Sequence, residues 1–410
     1  MSLAVVEKFK SRFPAKKMFF FFICLSYLFI TIGTHKNRYQ AFDLAIAVAV
    51  FYLISEKTNF KKIIKESYWF IIFLLYIVFN PNYLLNDYSF AFGHATFVTR
   101  ALGTFCLGIC AQLYIPKLWK FSVLLLPVSV AAVFLKALIC GFTPFDWCYN
   151  TRLCLNFTPA PNLLALVTAS GIIYLICLRH NVIEKFKRKI FAHLFFLTLY
   201  GLLFSVLLLS QSRSFLIALL GCFVYWSFSY KRKILSVFVL SVLILVIGYI
   251  SMPNYFARIK GFTITNITKN TNQLSSSRFT LWEIYLKMAQ DNLVFGVTAP
   301  KKALSDFIKD KDKMKGLTYK THIGENFTEN SPHNLYITML FYYGLIGLLL
   351  FLAMAFQSLK AGVLTDNKLY ISLFVFFALS GMTEYVFSMV HGVVVYFFAF
   401  GVMIADKSQA

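Results

Sequence analysis

Charge is what this sequence has least of. Only 14% of its residues are Asp, Glu, Lys or Arg, against 59% hydrophobic, and its mean hydropathy of +0.69 excludes a soluble globular domain. Acids are scarcest, at 17 in 410 residues. The one D-x-D, Asp310-Lys311-Asp312, sits in the lysine-rich run 309–315, which reads as a solvated face and not a metal site. No glycine-rich phosphate loop, nucleophile elbow or HExxH is present. His94, His322, His333 and His391 show no metal-ligand spacing. The chemistry expected is therefore free of metal and cofactor, with arginine supplying positive charge. A small-residue cleavage site is also missing after the first apolar run, which is expected to be a retained helix rather than a cleaved signal.

What is abundant is apolar. Phe alone occurs 47 times, and runs close to the ~17–25 residues needed to cross a bilayer recur from end to end. Read against their polar breaks, they predict spans at 18–34, 41–55, 67–80, 96–115, 119–141, 160–178, 191–209, 214–230, 234–251, 334–356, 369–386 and 388–405. The fold expected is an all-α integral membrane protein of about twelve helices, with residues 1–410 as one membrane domain. Cys24, Cys106, Cys110, Cys177 and Cys222 fall inside apolar runs, where a thiol is a small hydrophobe.

Lysine and arginine orient the chain. Segments at 8–17, 57–65, 179–189 and 231–233 are rich in both, whereas the alternate short loops carry few, so the positive-inside rule puts both termini in the cytoplasm. The formal net charge of +23 thus belongs between spans, and nucleic acid is excluded as a partner. Cys148 and Cys154 then share an outer loop whose compartment permits a disulfide.

The same orientation places one long connection, 252–333, outside, between predicted spans 9 and 10. Its length points to function. Ser275, Ser276 and Ser277 are placed to cap a helix on which Leu281, Trp282, Tyr285, Met288 and Ala289 form an apolar stripe, with Glu283 and Lys287 paired on the other side. Such a helix lies along the membrane surface or folds back over the bundle.

Polar constellations on this outer side carry the candidate chemistry. They are Ser210-Gln211-Ser212-Arg213-Ser214, Ser275-Ser276-Ser277-Arg278, and Ser331-Pro332-His333-Asn334. Arg213 and Arg278 each follow serines at an apparent helix start, where a cation is disfavoured by roughly 0.3–1 kcal/mol. A bound anion reverses that cost, since helix N–H groups and a guanidinium together hold phosphate. The alternatives are that Arg213 reaches lipid headgroups and Arg278 pairs with Glu325 or Glu329. His333, at a span entrance, is a candidate proton acceptor, while Asn334 is placed to cap the helix. Lys136, Glu384 and His391 lie in or beside spans; Glu384 is either a partner for Arg213 or Arg278 or a helix-end carboxylate in water.

Taken in order, SQSRSFLIALL, SSSRFTLWEIYLKMAQDNLVFGV and SPHNLYITMLFYYGLIGLLLFL, with the long loop and the helix layout, resemble the O-antigen ligase and polymerase superfamily of bacterial inner-membrane glycosyltransferases. The resemblance implies a GT-C-like membrane fold and a large periplasmic loop. It implies an undecaprenyl diphosphate-linked glycan as donor and, for a ligase, lipid A-core as acceptor, with polymerase as the alternative. By the match, Arg213 and Arg278 bind the diphosphate with Ser277, Asn334 and Glu384 around the substrates, and His333 positions or deprotonates the acceptor hydroxyl. The rival class, a transporter or flippase, generally shows internal repeats and midplane charges. This sequence has no detectable repeat, and its candidate charges gather toward one face.

Overall fold

The computed structural model describes residues 60–80, 88–141, 147–148, 152–153, 161–184, 188–230, 278–297, 300–310, 332–388 and 390–409, with some helical residues among 46–53 and 237–246. Predicted span 18–34, most of 41–55 and of 234–251, and Ser277 and Cys154 lie outside the described residues, and with Cys154 the expected disulfide.

Long apolar segments in lipid must satisfy their own backbone, and helices do so. The chain order is α1 (Phe60–Glu66), α2 (Tyr68–Phe79), α3 (Tyr88–Tyr114), α4 (Trp119–Val123), α5 (Leu125–Cys140), a small antiparallel pairing of β1 (Trp147–Cys148) with β2 (Arg152–Leu153), then α6 (Pro161–Ile183), α7 (Lys189–Leu209) and α8 (Arg213–Tyr230). After these come α9 (Arg278–Gln290), α10 (Pro300–Lys309), α11 (Leu335–Leu364), α12 (Lys368–Gly381), a 3-10 turn (Val386–Ser388) and α13 (Val390–Gln409). Among the described residues seven helical segments are long and apolar enough to cross a bilayer, and α2 and α12 are shorter apolar helices. The chain is a helical membrane protein.

Burial sorts the helices. The spanning windows of α6 and α13 are 89% buried, whereas those of α7, α8 and α11 are 39–44% buried and turn residues such as Phe191, Ile217 and Phe356 outward. A helix apolar on every side belongs inside a membrane bundle, and one apolar face is left for lipid on its neighbours. Hence α6 and α13 form the centre.

The long connection contains a helix that the sequence reading missed as well as the one it expected. Leu281, Ile284, Tyr285, Met288 and Ala289 of α9 are buried against Phe341 of α11 and Phe307 of α10, so α9 folds back over the bundle. Glu283 and Lys287 pair at 3.6 Å on its other side, as their spacing predicts. In α10, Pro300 occupies the first helical position, where its missing N–H costs nothing.

Helix α11 is broken at Gly344, whose φ is 67°. The turn after α9 is spliced into this break. Leu345 N–H donates to the Leu293 carbonyl (2.7 Å), and Val297 N–H donates to the Phe341 carbonyl (2.8 Å). A Cβ on Gly344 would lie 2.2 Å from the Val294 oxygen, so only glycine admits both the backbone angle and the approach.

Candidate functional site

The helix ends at one end of the bundle meet around a single carboxylate. Predicted span 369–386 ends early, at Gly381, because Ser380 turns the chain: its carbonyl accepts from both Thr383 N–H (3.1 Å) and Glu384 N–H (2.9 Å). That turn carries Glu384 inward, where it is 1% exposed. A helix-end carboxylate in water is thereby excluded.

Both Glu384 oxygens are occupied. Oε1 accepts from Arg278 Nη2 and from Asn162 Nδ2 at 3.0 Å, and Oε2 faces His333 Nδ1 at 3.2 Å. Burying a carboxylate is tolerable only when it is paired and hydrogen-bonded, and here these partners do that. An ionised carboxylate only accepts, so facing one, His333 Nδ1 is the nitrogen that donates, and in the neutral imidazole Nε2 is then the acceptor. The side chains of Arg278 and His333 are 23% and 35% exposed against 2% for Glu384. From outside the bundle the guanidinium and the imidazole are reachable and the carboxylate is not.

Each partner is held by its own element. Arg278 opens α9, and its Nη1 donates to the Ser214 hydroxyl at 3.1 Å, in the first turn of α8. Arg213 is the residue before Ser214 and begins the same helix, so the two arginine-bearing helix starts lie side by side. Of the two arginines expected as partners for Glu384, Arg278 is the one paired with it here; Glu325 and Glu329, the other acids expected for Arg278, lie outside the described residues. Ser212, buried in the turn before α8, donates to Asn162 Oδ1 at 3.1 Å, which ties that turn to the first turn of α6.

His333 has a φ of 48°, in the left-handed region where histidine occurs more often than most residues. The turn around it is pinned on both sides. Trp282 Nε1 of α9 donates to the Pro332 carbonyl at 2.9 Å. Asn334 caps α11 by accepting from Tyr336 N–H and Ile337 N–H, while its Nδ2 donates to the Met382 carbonyl at 2.7 Å. Its amide links the start of α11 to the end of α12.

Asn162 was not foreseen. Its one signal is a polar residue following Pro161 at the start of an otherwise apolar run, a pattern that also describes an ordinary cap. His391 is buried in the first turn of α13, and Lys136 is exposed on α5. Among the described residues no three His, Cys, Asp or Glu side chains gather closely enough to hold a metal ion.

Replacing Asn162 with leucine removes a donor from Glu384 and an acceptor from Ser212. Each unsatisfied buried group costs about 1–3 kcal/mol. A lower thermal unfolding midpoint in detergent is expected, with the smaller Asn162→Asp change also impairing function because it brings a second carboxylate against Glu384. An unchanged midpoint for both would mean that Asn162 is not holding the site together.

Residues 198–352, under half of the chain, match the family model described as Wzy_C, O-antigen ligase. The matched stretch includes Arg213, Arg278 and His333, but not Asn162 or Glu384. No curated protein matches the chain.

Proposed function

We propose, from the premise that this chain belongs to the O-antigen ligase and polymerase superfamily, whose domain covers residues 198–352, that it is an O-antigen ligase of the bacterial inner membrane. The observation that supports this reading best is the convergence of Arg278 and His333 on buried Glu384, beside the helix start that carries Arg213. The donor is a glycan on undecaprenyl diphosphate and the acceptor a sugar hydroxyl of lipid A-core. The end of the bundle with the site is opposite to the ends of α6 and α8 that adjoin the Lys- and Arg-rich segments 179–189 and 231–233, so the positive-inside rule makes it periplasmic and both termini cytoplasmic.

In the proposed reaction the acceptor oxygen attacks the anomeric carbon from the face opposite the diphosphate, inverting it. His333 Nε2 takes the hydroxyl proton as the new C–O bond forms. The glycosyl–phosphate bond breaks, and undecaprenyl diphosphate leaves with its electron pair. Arg213 and Arg278, aided by the helix N-termini they begin, hold the negative charge that grows on the leaving group. Glu384 keeps Nδ1 protonated and the imidazole turned outward, as the carboxylate of a catalytic triad does. Asn334 supports the substrate end of the site through its hold on the turn that carries His333.

A polymerase would use the same donor chemistry on a second lipid-linked repeat unit. Deleting the gene and separating lipopolysaccharide by electrophoresis distinguishes the two. Loss of a ligase is expected to leave full-length polymer on the lipid carrier and none on the core, whereas a core bearing a single repeat would identify a polymerase. Loss of export with no change in the transfer reaction would instead favour a transporter.

A further inference from the structure

The turn spliced into α11 ends in an exposed apolar tip. Leu293, Val294 and Phe295 are 44–51% exposed, an unfavourable placement in water for three consecutive large hydrophobes. The carbonyls of residues 292–295 in this turn are all hydrogen-bonded within the protein. The Asn292 carbonyl accepts from Gly296 N–H (2.9 Å), Leu293 from Leu345 N–H (2.7 Å), Val294 from Ile346 N–H (3.4 Å) and Phe295 from Asn80 Nδ2 (3.1 Å). With its carbonyls bonded in this way, the turn leaves fewer polar groups to be stripped of water at an apolar boundary, where each unpaired one is costly.

The break in α11 fixes the depth. Residues 345–364 by themselves supply about 30 Å of helix, one hydrocarbon thickness. Set along the bilayer normal, a helix of that length puts Gly344, and the turn bonded to it, at the boundary on the side of the site. The exposed tip continues the lipid-facing surface formed by Leu345, Leu349 and Leu352 of α11 and by Val78 and Phe79 of α2.

We infer that the tip formed by Leu293, Val294 and Phe295 is inserted among lipid acyl chains at this boundary, as an anchor that sets the height of α9 above the membrane. In terms of the proposed function, it holds Arg278 at the level where a lipid-linked diphosphate presents its phosphates.

The full chain in phosphatidylethanolamine–phosphatidylglycerol nanodiscs, doped with a phospholipid bearing a diazirine on its acyl chain, provides the test. After irradiation and digestion, mass spectrometry is expected to find adducts on the peptide containing the tip at levels comparable to the peptide containing Leu349 and Leu352. Hydroxyl-radical footprinting in water should modify the neighbourhood of Asp306 and spare the tip. The double substitution Leu293→Asp, Phe295→Asp should lose the lipid adducts at the tip while keeping those on α11. Labelling of the tip from water but not from lipid, or its cross-linking to a second copy of the chain with no lipid adduct, would overturn the inference. Because the adducts do not depend on glycan transfer, their absence would leave the enzymatic reading standing, and an inactive protein would leave the anchor standing.

Discussion

Arg278→Ala is expected to lower the rate of glycan transfer by about 10²–10³-fold, roughly 2.7–4 kcal/mol, the usual cost of removing one preorganised donor from a developing anion. The guanidinium has five N–H donors, and its contacts with Ser214 and Glu384 use two of them. The alanine variant also strips a partner from a carboxylate that is 1% exposed, so part of its effect is structural. Arg278→Lys separates the two contributions. It keeps a positive charge near Glu384 but loses the planar fork that binds phosphate in parallel, so folding should recover and transfer should not. Measured on purified protein with lipid-linked donor, a lysine variant as fast as the parent would mean that diffuse charge is enough. Lys311→Ala, in the lysine-rich run, should leave the rate close to parental, whereas Arg213→Ala should slow it.

The second large effect is expected at His333. His333→Ala removes the proposed base, worth about 10²–10⁴-fold, and should leave donor binding nearly intact because the arginines remain. Its signature is in the pH profile. Protonation of Nε2 blocks proton acceptance, so the parental rate should fall as acidity rises through the imidazole's titration. The residual rate of the alanine variant should lose that dependence. Glu384→Gln is the companion measurement: the amide no longer demands a protonated Nδ1, so the rate should fall even though His333 is present. A pH profile unchanged by His333→Ala would remove the histidine from the chemistry.

These expectations rest on contacts of differing legibility. The arginines and the histidine stand out in the sequence because each breaks a local rule: a cation after serines at a helix start, or a titratable group at the entrance of an apolar run. Glu384 stood out as an acid beside a span. Its burial was not legible, because predicted span 369–386 would have carried the residue at the end of a straight helix. The turn at Ser380 depends on what packs there, including Leu335 against Gly381. Asn162 is 222 residues from Glu384, and nothing local to either residue announces the other. The break at Gly344 was equally hidden, since a glycine in an apolar run reads as a helix with a small residue until another segment supplies replacement hydrogen bonds.

By itself the sequence determined that this chain lives in lipid, where its helices begin and end to within a few residues along most of the described length, and which polar groups gather on one side of the membrane. Lipid imposes those properties on any chain, because it demands apolar runs of a given length with their backbone satisfied internally. Only the tertiary structure decided that Glu384 would be buried between Arg278, His333 and Asn162, and that the turn after α9 would close the break in α11. Those outcomes depend on which helix ends meet, and in a bilayer that is settled by side-chain packing and hydrogen bonds between distant segments, not by apolar content, which nearly every helix here shares.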